Sequence, residues 1–197
     1  MKPNRRSIRL PGYDYASAGW YLVTILCHKR KHLFGEVVRA YGIRPQEPEV
    51  ILSPLGMFVE EEWLKTAELR PEVELGEFVV MPNHFHATIG LNGKRGTDDL
   101  ALQSGMEGVS STADRCDTPL QSPSKTIGAV IRGFKSAVSG RARRSDLATD
   151  VWQRNYYEHI IRNDESYRRI ANYIVHNPQN WQEDEYFPAR DRIQNLH

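Results

Sequence analysis

Cysteine is scarce in this sequence: Cys27 and Cys116 are the only two in 197 residues. Far apart, they form neither a metal-ligand spacing nor a disulfide framework, which suits a reducing compartment. No apolar run is long enough to span a bilayer. The basic start, "MKPNRRSIRLPGYDY", is not followed by the apolar segment of a signal peptide. The chain therefore reads as a soluble cytoplasmic protein with no membrane partner. An excess of one charge is also missing. The formal net charge is +1, so any nucleic-acid partner must be met by local patches. There is no internal repeat, P-loop, nucleotide-binding glycine fingerprint or zinc finger. What is present is ordinary globular composition, 40% hydrophobic and 26% charged, in a length that fits one domain over residues 1–197.

Local patterns divide the chain. "GWYLVTILC", from Gly19 to Cys27, is rich in β-branched and aromatic residues and reads as a strand. "SPLGMFVEEEWLKTAELRP" reads as a helix, with Ser53 as N-cap, Pro54 at the first position and Pro71 as the stop. "VELGEFVVMP" and "HFHATIGLN" read as two strands joined at the Pro82-Asn83 turn. Residues 96–124 are rich in Gly, Ser, Thr and Asp, lack periodicity, and read as a flexible insert. "KTIGAVIRGFKSAVSGRARR" returns to helical spacing, with Ile127, Ile131, Phe134 and Val138 as its apolar stripe. "VWQRNYYEHII" suits a short strand or extended segment. Asn163 then caps a helix from about Asp164 to His176, which ends before Pro178.

Three features can carry chemistry. His84 and His86, one residue apart on a strand, share a face and suit a divalent cation with open positions. They equally suit two packed, hydrogen-bonded imidazoles. A two-histidine phosphoesterase is excluded, because no second His-x-Ser or His-x-Thr accompanies His86 and Thr88. Tyr173 and Asn177 lie four residues apart and hence adjacent on the last helix. Tyrosine can be a covalent nucleophile and a carboxamide oxygen can ligate a metal. An amphipathic ring at the core edge and a helix C-cap explain the same two residues without chemistry. Cations recur along the chain at Arg5, Arg6, Lys29, Arg30, Lys31, Arg132, Lys135 and Arg141. Interleaved with rings, they suit phosphate contacts, or simply a solvated face.

In their order, "VVMPNHFHATIGL", "IGAVIRGFKSAV", "VWQRNYYEHIIRN" and "YRRIANYIVHNP" resemble the single-tyrosine (HUH) transposases, and most closely the REP-associated tyrosine transposases. The likeness spans nearly the whole chain apart from the insert. It implies an α+β, ferredoxin-like or RRM-like domain with a central antiparallel sheet and helices packed on it. It implies a metal-dependent single-stranded DNA endonuclease and strand transferase acting at hairpin-forming repeats through a 5′-phosphotyrosine. Tyr173 matches the nucleophile, His84 and His86 the metal motif, and Asn177 the third ligand. Mg²⁺ or Mn²⁺ would be the cofactor, single-stranded or hairpin DNA the partner, and a homodimer is permitted. Tyr156, Tyr157 and Tyr167 compete for the nucleophile's role on sequence alone. The alternative is a catalytically inactive nucleic-acid-binding module on the same fold.

Overall fold

The computed structural model describes residues 18–38, 47–92 and 126–187. The insert at 96–124, Arg5, Arg6 and Cys116 lie outside the described residues. In chain order the elements are β1 (Gly19–Leu26), β2 (Gly35–Val38), β3 (Glu49–Leu52), α1 (Pro54–Leu69), β4 (Val73–Met81), β5 (His84–Leu91), α2 (Ile127–Arg144), β6 (Tyr157–Ile161) and α3 (Asp164–Val175). The main sheet is antiparallel, in the order β4-β5-β1-β6. Set aside the small β2–β3 hairpin and the chain runs strand, helix, strand, strand, helix, strand, with α3 added after the last strand. That is the ferredoxin-like, RRM-like α+β arrangement expected from the resemblance.

Local chemistry explains the boundaries. The Ser53 hydroxyl accepts from the Gly56 amide at 3.0 Å and caps α1, while Pro54 occupies its first turn. Asn163 caps α3 through the Ser166 amide at 2.8 Å, with Asp164 and Glu165 placed where the helix dipole favours acids. The β2–β3 hairpin is not apparent in the sequence pattern. It begins at Gly35, whose φ of +150° few other residues adopt. A Cβ there would stand 2.2 Å from the Ile51 carbonyl oxygen, so the close pairing with β3 needs glycine.

Alternation sorts the sheet into two faces. Tyr21, Val23 and Ile25 of β1 and Phe85, Ala87 and Ile89 of β5 are buried in the hydrophobic core. Phe85 meets Trp63 of α1 and Phe134 of α2 with ring centroids 5.0 and 5.4 Å apart, so α1 and α2 cover this face. The expected stripe Ile127, Ile131, Phe134 and Val138 is buried against it. The intervening residues of β5, including His84 and His86, point to the other face. There α3 packs on β4 and β5, with Ile174 buried. The apolar core and the two histidines thus occupy opposite sides of one strand.

Candidate metal and tyrosine site

His84 opens β5 and is fully buried. Its Nδ1 lies 2.9 Å from Asn83 Oδ1. The Asn83 amide nitrogen is committed elsewhere, donating to the Tyr186 carbonyl at 2.7 Å, and this identifies which end of the carboxamide is the oxygen. An oxygen acceptor requires a proton on His84 Nδ1. The lone pair is thereby left on Nε2, which is buried with no hydrogen-bond partner among the described residues. His86, also buried, places Nδ1 2.8 Å from Thr24 Oγ1 and turns Nε2 towards the Tyr173 hydroxyl at 3.4 Å. The two imidazoles meet edge to face at 4.5 Å.

From α3 and the segment after it come the oxygens. Asn177 is 1% exposed, and its Nδ2 donates to Asp184 Oδ2 at 3.1 Å. That bond fixes the carboxamide so that Oδ1 is the end left buried and unpartnered. One ligand atom from each of His84, His86 and Asp184 falls within 4.8 Å of the others. Buried polar atoms without partners are costly. His84 Nε2 and Asn177 Oδ1 are two such atoms at one cluster, and a cation would satisfy both. Two imidazoles, a carboxylate and an amide oxygen form a mixed nitrogen–oxygen set of the kind divalent metals accept. The residues present therefore fit a metal ion.

Asp184 was not anticipated from the sequence. It is the middle of three acids in "EDE", with no periodicity or motif spacing to mark it. Tyr173 stands at the mouth of the cluster, 43% exposed, its ring 5.4 Å from that of His86. Its hydroxyl is also 3.5 Å from Asp184 Oδ2. Partial burial, then the Asp184 charge, push its pKa up to about 12. The hydroxyl thus holds its proton at neutral pH in the metal-free protein. His84, His86, Tyr173 and Asn177, separated by up to 93 positions in the chain, are brought together within one subunit.

No protein-family model matches the chain. An uncharacterized protein of Haemophilus influenzae is 38% identical over 185 residues, which cover 93% of each chain. This chain belongs to the same family. Among solved structures, the fold is similar to that of the REP-associated tyrosine transposase bound to a REP hairpin. The TM-score is 0.52 at 19% identity, over 87% of this chain and 73% of that one. A putative transposase from Deinococcus radiodurans is 15% identical over 89% of this chain and 96% of its own, with a TM-score of 0.38. The likeness to the REP-associated transposase is one of fold, the α+β arrangement described above.

The cations proposed from the sequence divide by location. Lys29 and Arg30 lie in a single 3-10 turn just beyond β1, with Lys31 following, and all three are exposed. The Arg30 guanidinium lies 5.6 Å from the Tyr186 ring, which in turn lies 4.9 Å from His84. This cluster therefore adjoins the site. Arg132, Lys135 and Arg141 belong to α2, on the far side of the sheet from the histidines. Lys135 Nζ donates to the Gln153 and Asn155 carbonyls at 2.8 and 2.9 Å. Arg141 pairs with Glu61 and Glu62 and stacks over Phe58 at 3.8 Å. These contacts tie α2 to α1 and to the segment before β6. Among the described residues, no helix is long and apolar enough to cross a membrane.

Two predictions follow from this geometry. Asn83→Ala removes the acceptor that holds His84 in its ligating tautomer, so Mn²⁺ affinity falls about 10- to 100-fold. Titration of Mn²⁺ by electron paramagnetic resonance measures it, and unchanged affinity would show that Asn83 does not orient the ring. The second concerns pH. Burial drives the pKa of both histidines from 6.5 to about 3, aided at His86 by the neighbouring His84. The folded protein refuses protons that the unfolded chain accepts below 6.5. Stability is therefore intact above that pH and declines as pH falls towards 3. The decline reaches about 1.4 kcal/mol per pH unit for each histidine. Denaturant melts of chelator-treated protein down to about pH 5 test this, where carboxylates contribute little. Substituting both histidines with Gln should flatten the slope.

Proposed function

We propose that this chain is a metal-dependent endonuclease and strand transferase of single-stranded DNA, with Tyr173 as its nucleophile. The observation that carries this reading is the position of the Tyr173 hydroxyl, 3.4 Å from His86 Nε2 at the mouth of a buried two-histidine cluster. A packing role explains the ring of Tyr173 but not the convergence of its hydroxyl, two imidazoles, a carboxylate and an orphaned amide oxygen. The fold likeness to a transposase bound to a REP hairpin supports the choice of DNA, and of hairpin-forming repeats, as substrate.

His84, His86 and Asn177 would hold Mg²⁺ or Mn²⁺, with Asp184 as a further oxygen donor. When bound, the ion supplies Lewis-acid stabilisation of charge developing on the scissile phosphate. The remaining steps belong to side chains. Tyr173 Oη attacks phosphorus, and the bond to the 3′ oxygen breaks in line with it. The tyrosine proton passes to an acceptor in reach, for which Asp184 Oδ2 is placed. The leaving oxygen departs as a 3′-OH, taking a proton from solvent. The 5′-phosphotyrosine is a phosphodiester like the bond it replaced, so a 3′-OH can reverse the step and rejoin DNA without ATP. Lys29, Arg30 and Lys31 neutralise and position the backbone beside the cluster.

The test is incubation with Mn²⁺ and end-labelled hairpin DNA, followed by denaturing electrophoresis. A labelled band at the mass of a protein–DNA adduct is expected. Binding without an adduct, under all conditions tried, would favour an inactive binding module on the same fold.

A further inference from the structure

Among the described residues, the sheet face that carries the histidines is only partly covered. Strand register places its side chains in rows. His86, Thr24 and Tyr157 form one row across β5, β1 and β6. Thr88, Leu22 and His159 form the next, and Gly90, Trp20 and Ile161 the last. The last row is covered where Tyr167 of α3 packs on Trp20 at 4.8 Å. The first two open outward along β1 and β6: Leu22 is half-buried, His159 is exposed, and Tyr157 is 51% exposed. Tyr157 stands two strand spacings from His86, about 10 Å.

We infer that this open face is a stacking platform for the bases of a single DNA strand, with Tyr157 and His159 beneath the nucleotides next to the phosphate at Tyr173. The inference rests on the proposed function and extends it. A lone exposed tyrosine on a strand is commonplace. This one shares a face and a row with His86, and His159, two residues on along β6, is exposed on the same face. Aromatic rings on a sheet hold single strands without reading sequence, because every base has a π-face.

Charge fixes the occupant and its course. Around the end of β1 next to Tyr157 lie Lys29, Arg30, Lys31 and Arg154, all exposed. The Gln153 amide bonds the Leu26 carbonyl at 2.8 Å and so draws the Arg154 segment to that end. At the other end the same face opens into a cavity of about 600 Å³ lined in part by Glu74, Glu77 and Asp164, with Arg162 as a single cation among them. The balance of charge favours phosphates at the first end over the second. A polyanion with rings fits this field, whereas an apolar peptide gains nothing from the cationic rim.

The test separates binding from chemistry. Fluorescein-labelled oligothymidylate, which forms no hairpin, is titrated with the full-length protein in chelator, and binding is read by anisotropy. Tyr157→Ala is expected to weaken binding about 10-fold or more, and Tyr157→Phe to retain it. An oligonucleotide of abasic sites should bind wild type and Tyr157→Ala equally. Equal affinity of Tyr157→Ala and wild type for oligothymidylate would overturn the platform. So would a Tyr157→Ala deficit that persists on the abasic strand, which would signal contact with backbone alone. Either result leaves adduct formation at Tyr173 untouched. Conversely, a Tyr157-dependent affinity without any adduct would uphold the platform and reject the proposed chemistry.

Discussion

Tyr173→Phe abolishes the covalent protein–DNA adduct, lowering its rate of formation at least about 10³-fold, while leaving the fold and metal binding intact. The substitution deletes one oxygen. The ring keeps its place against His86, and the two contacts the hydroxyl gives up, 3.4 Å to His86 Nε2 and 3.5 Å to Asp184 Oδ2, are both long. Retention of DNA affinity would show that the loss is chemical. Tyr157→Phe and Tyr186→Phe serve as controls. Tyr186 is the more searching of the two, because its ring approaches both His84 and His86. Burial and the neighbouring carboxylates push its hydroxyl pKa far up, so it too holds its proton at neutral pH. Wild-type adduct levels in Tyr173→Phe would remove Tyr173 from the mechanism.

The second large effect comes from the histidines. His84→Gln removes the buried Nε2 lone pair and should reduce Mn²⁺ affinity by more than the 10- to 100-fold expected for Asn83→Ala, with adduct formation lost in parallel. The two readouts must move together. Mn²⁺ titration registers the ligand directly, whereas adduct yield registers what the ion does for the phosphate. Circular dichroism and a denaturant melt guard against a trivial loss of fold, since His84 is wholly buried. If metal affinity collapsed while adduct formation persisted, the cluster would be structural. If neither changed, the imidazoles would be packing residues.

Much of the local structure could be read from residues. The caps Ser53 and Asn163, the Pro82-Asn83 turn and the stripe on α2 each rest on short-range chemistry that a linear sequence carries intact. Periodicity says which side of a helix is apolar but not which side of a sheet it will cover. The cations of the basic helix α2 accordingly lie across the sheet from the two histidines. Its Arg141 and Lys135 also show why a cation in sequence is no guide to a free cation in space. The β2–β3 hairpin went unread because strands of four residues, each only half-buried, give too little alternation to register. Asp184 was invisible for a different reason. Its place is set by the chain's path after Asn177, through the turn at Trp181, and by contacts with Asn177 and Tyr186 that only the fold creates.

His84 and His86 could be recognised as sharing a strand face, and Tyr173 and Asn177 as sharing a helix flank. That the two pairs meet is a property of the sheet order, which puts β5 beneath α3. No local pattern contains that fact; it entered the reading of the sequence only through likeness to a family.

The central claim is a covalent bond between DNA and one particular oxygen. Peptide mapping by mass spectrometry of the wild-type adduct, after nuclease trimming, tests it most directly. The account predicts a nucleotide joined through its 5′ phosphate to Tyr173. A nucleotide on Tyr156, Tyr157, Tyr167 or Tyr186, or a 3′ linkage, would contradict it.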